Sequence, residues 1–233
     1  ISGAGIGKGG YRHFMLKEIY EQPQVIGDTL HAFINPTTRS VNLPPLTFDL
    51  ADLKKMTLIA CGTSYLACLV AKYWLEKIAR ISVEVDIASE FRYREAAMED
   101  GGAALFISQS GETIDTLAAL RYARSQNQHI ISVVNAPESA IARESDVVLH
   151  TNAGPEIGVA STKAFTTQMT VLACLCIAVA KARNTIDDDE QARLVSALTE
   201  VPARAAEILN HDERIAQIAH NISESRDALY LGR

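Results

Sequence analysis

Between residues 56 and 149 short apolar runs alternate with segments of helical period, and that alternation leaves few folds open. Runs such as Met56-Thr57-Leu58-Ile59-Ala60 and Ala103-Ala104-Leu105-Phe106-Ile107 have no polar face, so they read as strands buried on both sides. Parallel neighbours need long crossovers, and the intervening segments are long enough to be helices. The pattern predicts strands near 56–60, 82–87, 103–107, 129–134 and 146–149, with helices near 64–79, 89–98, 113–126 and 138–144. A last helix, about 162–183, repeats Ala164, Phe165, Met169, Leu172, Leu175 and Val179 at helical spacing. The expected fold is therefore α/β in three layers, a five-stranded parallel doubly wound sheet covered on both faces.

The flanks read differently. Residues 1–10 hold five glycines and no apolar periodicity, as in a linker or an expression remnant. Residues 11–50 form a helical lead-in: a short helix around Phe14, Met15, Ile19 and Tyr20 stopped by Pro23, a second from Gln24 to Phe33, then a loop from Asn35 to Pro45. The core unit spans 51–183. Residues 184–226 are charged amphipathic connecting helices, near 187–200, on past Pro202 to Leu209, and 212–223. Leu194, Val195 and Leu198 would be exposed there, which suggests dimerisation. Residues 227–233 look like a strand entering a glycine turn, the truncated start of a second unit.

Two polar turns follow predicted strands. Ser108-Gln109-Ser110-Gly111-Glu112-Thr113 links the run ending at Ile107 to an amphipathic helix, and Cys61-Gly62-Thr63-Ser64 links Ala60 to the segment beginning at Tyr65. A helix start leaves about four N–H groups unpaired and carries roughly half a positive charge, so it suits a phosphoryl group. The hexapeptide holds no lysine or arginine. An anion there would rest on neutral donors, each worth about 1.5–3 kcal/mol to a charged acceptor. Ligands of open parallel sheets sit beyond the carboxyl ends of the strands, where strand order reverses, so both turns are expected to face one pocket. A third polar segment, Glu156 to Lys163, would close it.

The 233 residues carry a formal net charge of −6, which disfavours nucleic-acid and anionic-membrane surfaces. No run of about 18–20 apolar residues is evident and the start lacks signal-peptide order, so a cytoplasmic chain without membrane contact is expected. The four cysteines, Cys61, Cys68, Cys174 and Cys176, match no zinc spacing, and the six histidines are scattered, so no metal is expected. Cys61 sits where a helix start would favour a thiolate, but no histidine is near it in sequence, and packing is the preferred reading.

Taken together, Tyr11-Arg12-His13-Phe14-Met15-Leu16-Lys17-Glu18-Ile19, Ala60 to Ser64, Ala88 to Arg94, Ser108 to Thr113, Thr151 to Gly154 and Glu156 to Phe165 closely resemble the isomerase part of the glutamine:fructose-6-phosphate aminotransferases, the glucosamine-6-phosphate synthases. The Ser-Gln-Ser-Gly-Glu-Thr turn is shared by many sugar-isomerase (SIS) domains. The first and third segments are specific to the synthases. The resemblance covers 11–233 and implies the first of two tandem SIS domains, preceded in the whole enzyme by a glutaminase domain. It implies binding of fructose 6-phosphate, conversion to glucosamine 6-phosphate, a homodimer and no cofactor. The family's phosphate and sugar contacts fall on Ser64, Ser108, Gln109, Ser110 and Thr113, with Val159 and Ser161 lining the sugar. Cys61, Gly62, Thr63, Gly111, Glu112 and Lys163 are secondary candidates.

No catalytic residue maps onto 1–233: the imine-forming lysine belongs to the family's C-terminal tail, and the isomerising glutamate and ring-opening histidine to the second SIS domain. Glu112 beside a dianion would be repelled unless its carboxylate turned to sugar hydroxyls or to backbone, and Lys163 is expected to supply charge or a hydrogen bond rather than an imine. The expectation is a domain that binds sugar phosphate and turns over nothing alone. A sugar-phosphate sensor would need a helix-turn-helix module that the first 50 residues do not show. A free-standing phosphosugar isomerase or deglycase would need a complete site, and a dinucleotide fold would need a Gly-x-Gly-x-x-Gly turn.

Overall fold

The computed structural model describes residues 7–229. Its centre is a parallel sheet of β3 (Lys55–Ala60), β4 (Ser82–Ile87), β5 (Ala103–Ser108), β6 (His129–Val134) and β7 (Val147–His150), in the order β4-β3-β5-β6-β7. Successive residues of each strand face opposite layers. Leu58, Leu105 and Ile131 join one apolar cluster with α2 (Gly62–Trp74) and α6 (Lys163–Ala182), and Ile59, Phe106 and Ile130 join the other with α3 (Ala88–Arg94), α4 (Ile114–Ser125) and α5 (Ala140–Arg143). The predicted five-stranded sheet is present, with strand ends within a residue or two of expectation. Edge strand β4 carries Glu84 and Asp86, which pair with Arg94 at 3.0 and 2.7 Å, while Lys55 reaches Glu84 at 2.6 Å. Charges on an edge discourage pairing with another chain.

Before the sheet, Pro23 does not stop a helix. α1 is continuous from Phe14 to Phe33. Proline removes the N–H that would bond the carbonyl four residues back, and Gln22 Nε2 donates to that carbonyl, of Ile19, at 3.0 Å. The expected loop from Asn35 contains a small hairpin, β1 (Ile34–Asn35) with β2 (Ser40–Val41). The Asn35 side chain turns it by accepting the N–H groups of Thr37 and Thr38, at 3.0 and 3.2 Å. α3 is shorter than expected because Glu95 adopts a left-handed φ of 48°. The last turn of α2 widens into a π-turn, Leu75–Ala79, closed by Arg80.

α7 (Asp188–Leu209) runs unbroken through Pro202, and α8 (Asp212–Ile222) follows. Pro202 lies against Gly27 of α1, with its Cγ 3.8 Å from where a Cβ would stand, an ordinary contact that marks where α7 rests on α1. Val195 is buried and Leu194 and Leu198 pack on the main cluster. Val195 is thus covered within the chain and Leu194 and Leu198 are half-buried, rather than exposed as the sequence suggests. α6 is, by length and composition, apolar enough to cross a membrane, which the scan for apolar runs missed. Yet 72% of its apolar window is buried within the fold, as a core helix requires. Of the terminal segments, residues 1–6 and 230–233 lie outside the described residues, so the expected strand at 227–233 is covered only over 227–229, which are irregular.

Candidate ligand site at the carboxyl ends of β3 and β5

The chain runs outward from β3 to β4 on one side and resumes with β5 on the other, so strand order reverses between β3 and β5. Ala60 pairs in register with Ile107, and the turns that follow leave the sheet side by side. α2 departs to one face and α4 to the other, opening the crevice expected of such a switch point. Cys61 ends β3 in an extended conformation, and α2 starts at Gly62 with φ +58°, a backbone state that L side chains adopt only with strain. The N–H groups of Gly62, Thr63 and Ser64 then have no carbonyl within the helix to bond. Thr63 is exposed, Ser64 largely buried, and Cys61 packs on the second apolar cluster.

The second turn is knitted from within. Ser108 Oγ accepts the Gly111 N–H at 3.0 Å and lies 2.9 Å from Thr113 Oγ1, and Ser110 Oγ accepts the Glu112 N–H at 3.2 Å. Two of the amides expected to meet an anion are therefore committed to hydroxyls. What remains is the Ser110 hydroxyl proton, one proton of the Ser108–Thr113 pair, and the first N–H groups of α4. Gly111 has φ +65°, and a Cβ there would fall 2.0 Å from Ser139 Oγ. The turn thus lies flat on the start of α5. Glu112 turns away from the crevice and accepts the Ala140 N–H at 2.7 Å, the backbone contact that removes the expected repulsion. In the first turn of α4, Asp115 is met by Arg92 at 2.6 Å. That contact raises the guanidinium pKa and leaves no uncompensated carboxylate beside the turn.

The third segment is held by its own carboxylates. Asn135, just after β6, donates its backbone N–H to Gln109 O at 3.2 Å. Its side-chain oxygen accepts Thr151 Oγ1 and the Ala153 N–H at 3.1 and 2.9 Å, and its amide donates to Gly154 O at 2.8 Å. Thr29 of α1 donates to Thr151 O. Glu156 closes the start of α6 by accepting the N–H groups of Thr162 and Ala164 at 2.9 and 3.0 Å, and Ser161 Oγ donates to it at 3.2 Å. Ile157 and Gly158 donate their N–H groups to Glu18 of α1. Lys163, 4% exposed, has its Nζ 2.7 Å from Glu21 Oε2.

The structure thus places Ser64, Ser108, Gln109, Ser110 and Thr113, with Gly62, Thr63 and Gly111, in the turns that leave the neighbouring carboxyl ends of β3 and β5. It leaves Val159 fully exposed, packed on neither turn, and turns Ser161 toward Glu156. Glu112 and Lys163 are committed to structural partners. Glu18, Glu21, Thr29 and Asn135 were not legible as site residues, since each acts across a long loop or from another element. Among the described residues no group of three or more His, Cys, Asp or Glu stands ready for a metal ion. The arrangement can fix an anion with hydroxyls and helix-start amides and can present a sugar to the third segment.

A family model described as SIS domain matches residues 49–178. The glutamine–fructose-6-phosphate aminotransferase (isomerizing) of Bradyrhizobium diazoefficiens is 54% identical over 229 residues, and that of Zymomonas mobilis 52% over 232. These alignments cover 98% and 100% of this chain but 38% of each relative, so the chain spans well under half their length. The solved C-terminal domain of glucosamine-fructose-6-phosphate aminotransferase from Francisella tularensis superposes with a TM-score of 0.93 at 42% identity, covering 97% of this chain and 64% of that one. Tagatose-6-phosphate ketose/aldose isomerase from Escherichia coli, at 20% identity, 85% and 53% coverage and a TM-score of 0.59, shares the fold.

Proposed function

This chain belongs to the SIS domain family, and we propose that it is the sugar-phosphate-binding unit of an isomerizing glutamine:fructose-6-phosphate aminotransferase, seating fructose 6-phosphate in the crevice between β3 and β5. The observation that carries the reading is the meeting of two hydroxyl-bearing helix starts at the switch point, with Ser108 and Thr113 2.9 Å apart and Ser110 free to donate. The phosphoryl group is assigned to Ser64, Ser108, Gln109, Ser110 and Thr113, and the sugar to Val159 and Ser161 once the third segment closes on it. The SIS unit spans 51–183. Glucosamine 6-phosphate, a glutaminase domain, a second SIS domain, a homodimer and a cytoplasmic setting belong to the same proposal. The exposed Ile215, Ile218 and Ile222 on one side of α8 give a partner surface an apolar stripe to cover.

A thermal-shift titration tests it. Fructose 6-phosphate should raise the melting temperature, fructose should not, and Ser110→Ala with Thr113→Ala should abolish the difference. Losing two donors to a dianion costs about 3 kcal/mol or more, over a hundredfold in affinity. Equal shifts from fructose and its phosphate would sink the assignment.

A further inference from the structure

We propose that Glu18 is a positioning residue: from α1 it latches the Glu156–Lys163 segment, and so sets recognition of the sugar separately from that of the phosphate. The inference rests on the functional reading above. Glu18 is 2% exposed, and its carboxylate accepts the Ile157 N–H at 2.6 Å and the Gly158 N–H at 3.0 and 3.2 Å. These two amides are its only hydrogen-bond partners among the described residues. A buried carboxylate without partners is strongly unfavourable, so displacing the segment would strand a charge.

Gly158 shows the closeness from the segment's side. A Cβ there would fall 2.5 Å from Glu18 Oε2 and 3.3 Å from Met15 Cα, so a side chain would press the segment away from the carboxylate and the α1 backbone. One turn further along α1, Glu21 holds Lys163 at 2.7 Å. α1 therefore grips the segment at 157–158 and again at 163. Val159 and Ser161, the sugar residues, lie between the two grips. The phosphate turn is braced by other means, through Ser108 with Thr113, Glu112 with Ala140, and Gly111 against Ser139.

Apart from Asn135, which bonds both Gln109 and the Thr151–Gly154 stretch, the two halves of the site are braced from different elements, and two ligands can tell them apart. Calorimetric titration of the full chain with fructose 6-phosphate and with inorganic phosphate would compare wild type, Glu18→Ala, Glu18→Gln and Gly158→Ala, with amide exchange followed at 157 and 158. Glu18→Ala should weaken fructose 6-phosphate about tenfold while phosphate changes little, the loss expected for one or two charge-assisted hydrogen bonds. Glu18→Gln, which keeps one acceptor, should fall between. Gly158→Ala keeps the carboxylate yet pushes the segment off, and should give the same sugar-selective loss, so poor folding of Glu18→Ala does not remove the test. Parallel weakening of both ligands, or unchanged sugar affinity with 157–158 exchanging faster, would overturn the latch alone. A wild-type chain that binds neither ligand would overturn the functional reading, and the latch with it.

Discussion

Replacing Gly111 by alanine should damage the phosphate turn from both its backbone and its packing, and the two losses can be measured apart. The residue sits at φ +65°, where an L side chain costs about 1–2 kcal/mol. Its new Cβ would lie 2.0 Å from Ser139 Oγ and 2.4 Å from Ser139 Cβ, while Val134 Cγ1 at 3.5 Å is ordinary contact. Ser139 is buried at the start of α5, where its hydroxyl donates to Ala136 O at 2.8 Å, and it cannot swing away without losing that bond. Overpacking of this kind costs about 1–3 kcal/mol, for a total of about 2–5 kcal/mol. In a chain of this size each kcal/mol lowers the melting temperature by about 2–4 °C, so a fall of about 10 °C is expected by calorimetry. Ser139→Gly deletes both clashing atoms at a cost of only about a few tenths of a kcal/mol, since glycine is itself tolerated at a helix N-cap. The double variant should therefore be more stable than the sum of the two single losses, by about 1–3 kcal/mol. Strict additivity, or a melting temperature untouched by Gly111→Ala, would refute the claim that the turn lies on Ser139.

Two further outcomes follow from burial and partnering. Burial pushes the Cys174 and Cys176 thiols up to about 12 and Cys68 further, so in the native protein all three should resist a thiol reagent at pH 8, when Cys61 alone is partly exposed. Unfolded thiols ionise near their ordinary value of 9.0 while the folded ones stay protonated, so this contribution is intact below pH 9 and is lost as pH rises toward about 12. Urea midpoints that did not fall between pH 9 and 11, or four fast thiols at pH 8, would contradict it. The purified chain should form no glucosamine 6-phosphate from fructose 6-phosphate with ammonia or glutamine, because Glu112, Glu156 and Lys163 are each bound to a structural partner and none is poised as base or nucleophile. Product above a blank in a sensitive coupled assay would overturn that.

The sheet was legible because a strand buried on both faces must be apolar throughout, and the runs of β3 and β5 are short and bounded by polar turns, unlike the longer apolar run of α6. The two strand-to-helix turns were legible for a related reason, since a polar, glycine-bearing turn between strand and helix is locally determined. Pro23 misled the reading because its helix is continued by a contact that sequence spacing does not show, the Gln22 side chain on the Ile19 carbonyl. Glu18 escaped notice because its partners lie 139 and 140 residues away. A carboxylate on an amphipathic helix ordinarily reads as solvated. Leu194 and Leu198 looked exposed because the groove they share with Trp74, Ile78 and Cys176 is a tertiary fact.

The same accounting of carboxylates explains where an anion can settle. Several helices begin at this end of the sheet, and each start would attract negative charge through its unpaired amides and its dipole. The start of α6 is closed by Glu156, and that of α5 by Glu112. Asp115, inside the first turn of α4, would repel an anion, but Arg92 neutralises it at 2.6 Å without reaching into the hexapeptide. The chain's own carboxylates thus occupy the starts of α5 and α6, while those of α2 and α4, which flank the reversal of strand order, carry no side-chain cap. On the function proposed above, an anion is steered toward the β3–β5 crevice by the occupied starts of α5 and α6 as well as by attraction, and neutral hydroxyl and amide donors hold it although the chain as a whole is acidic.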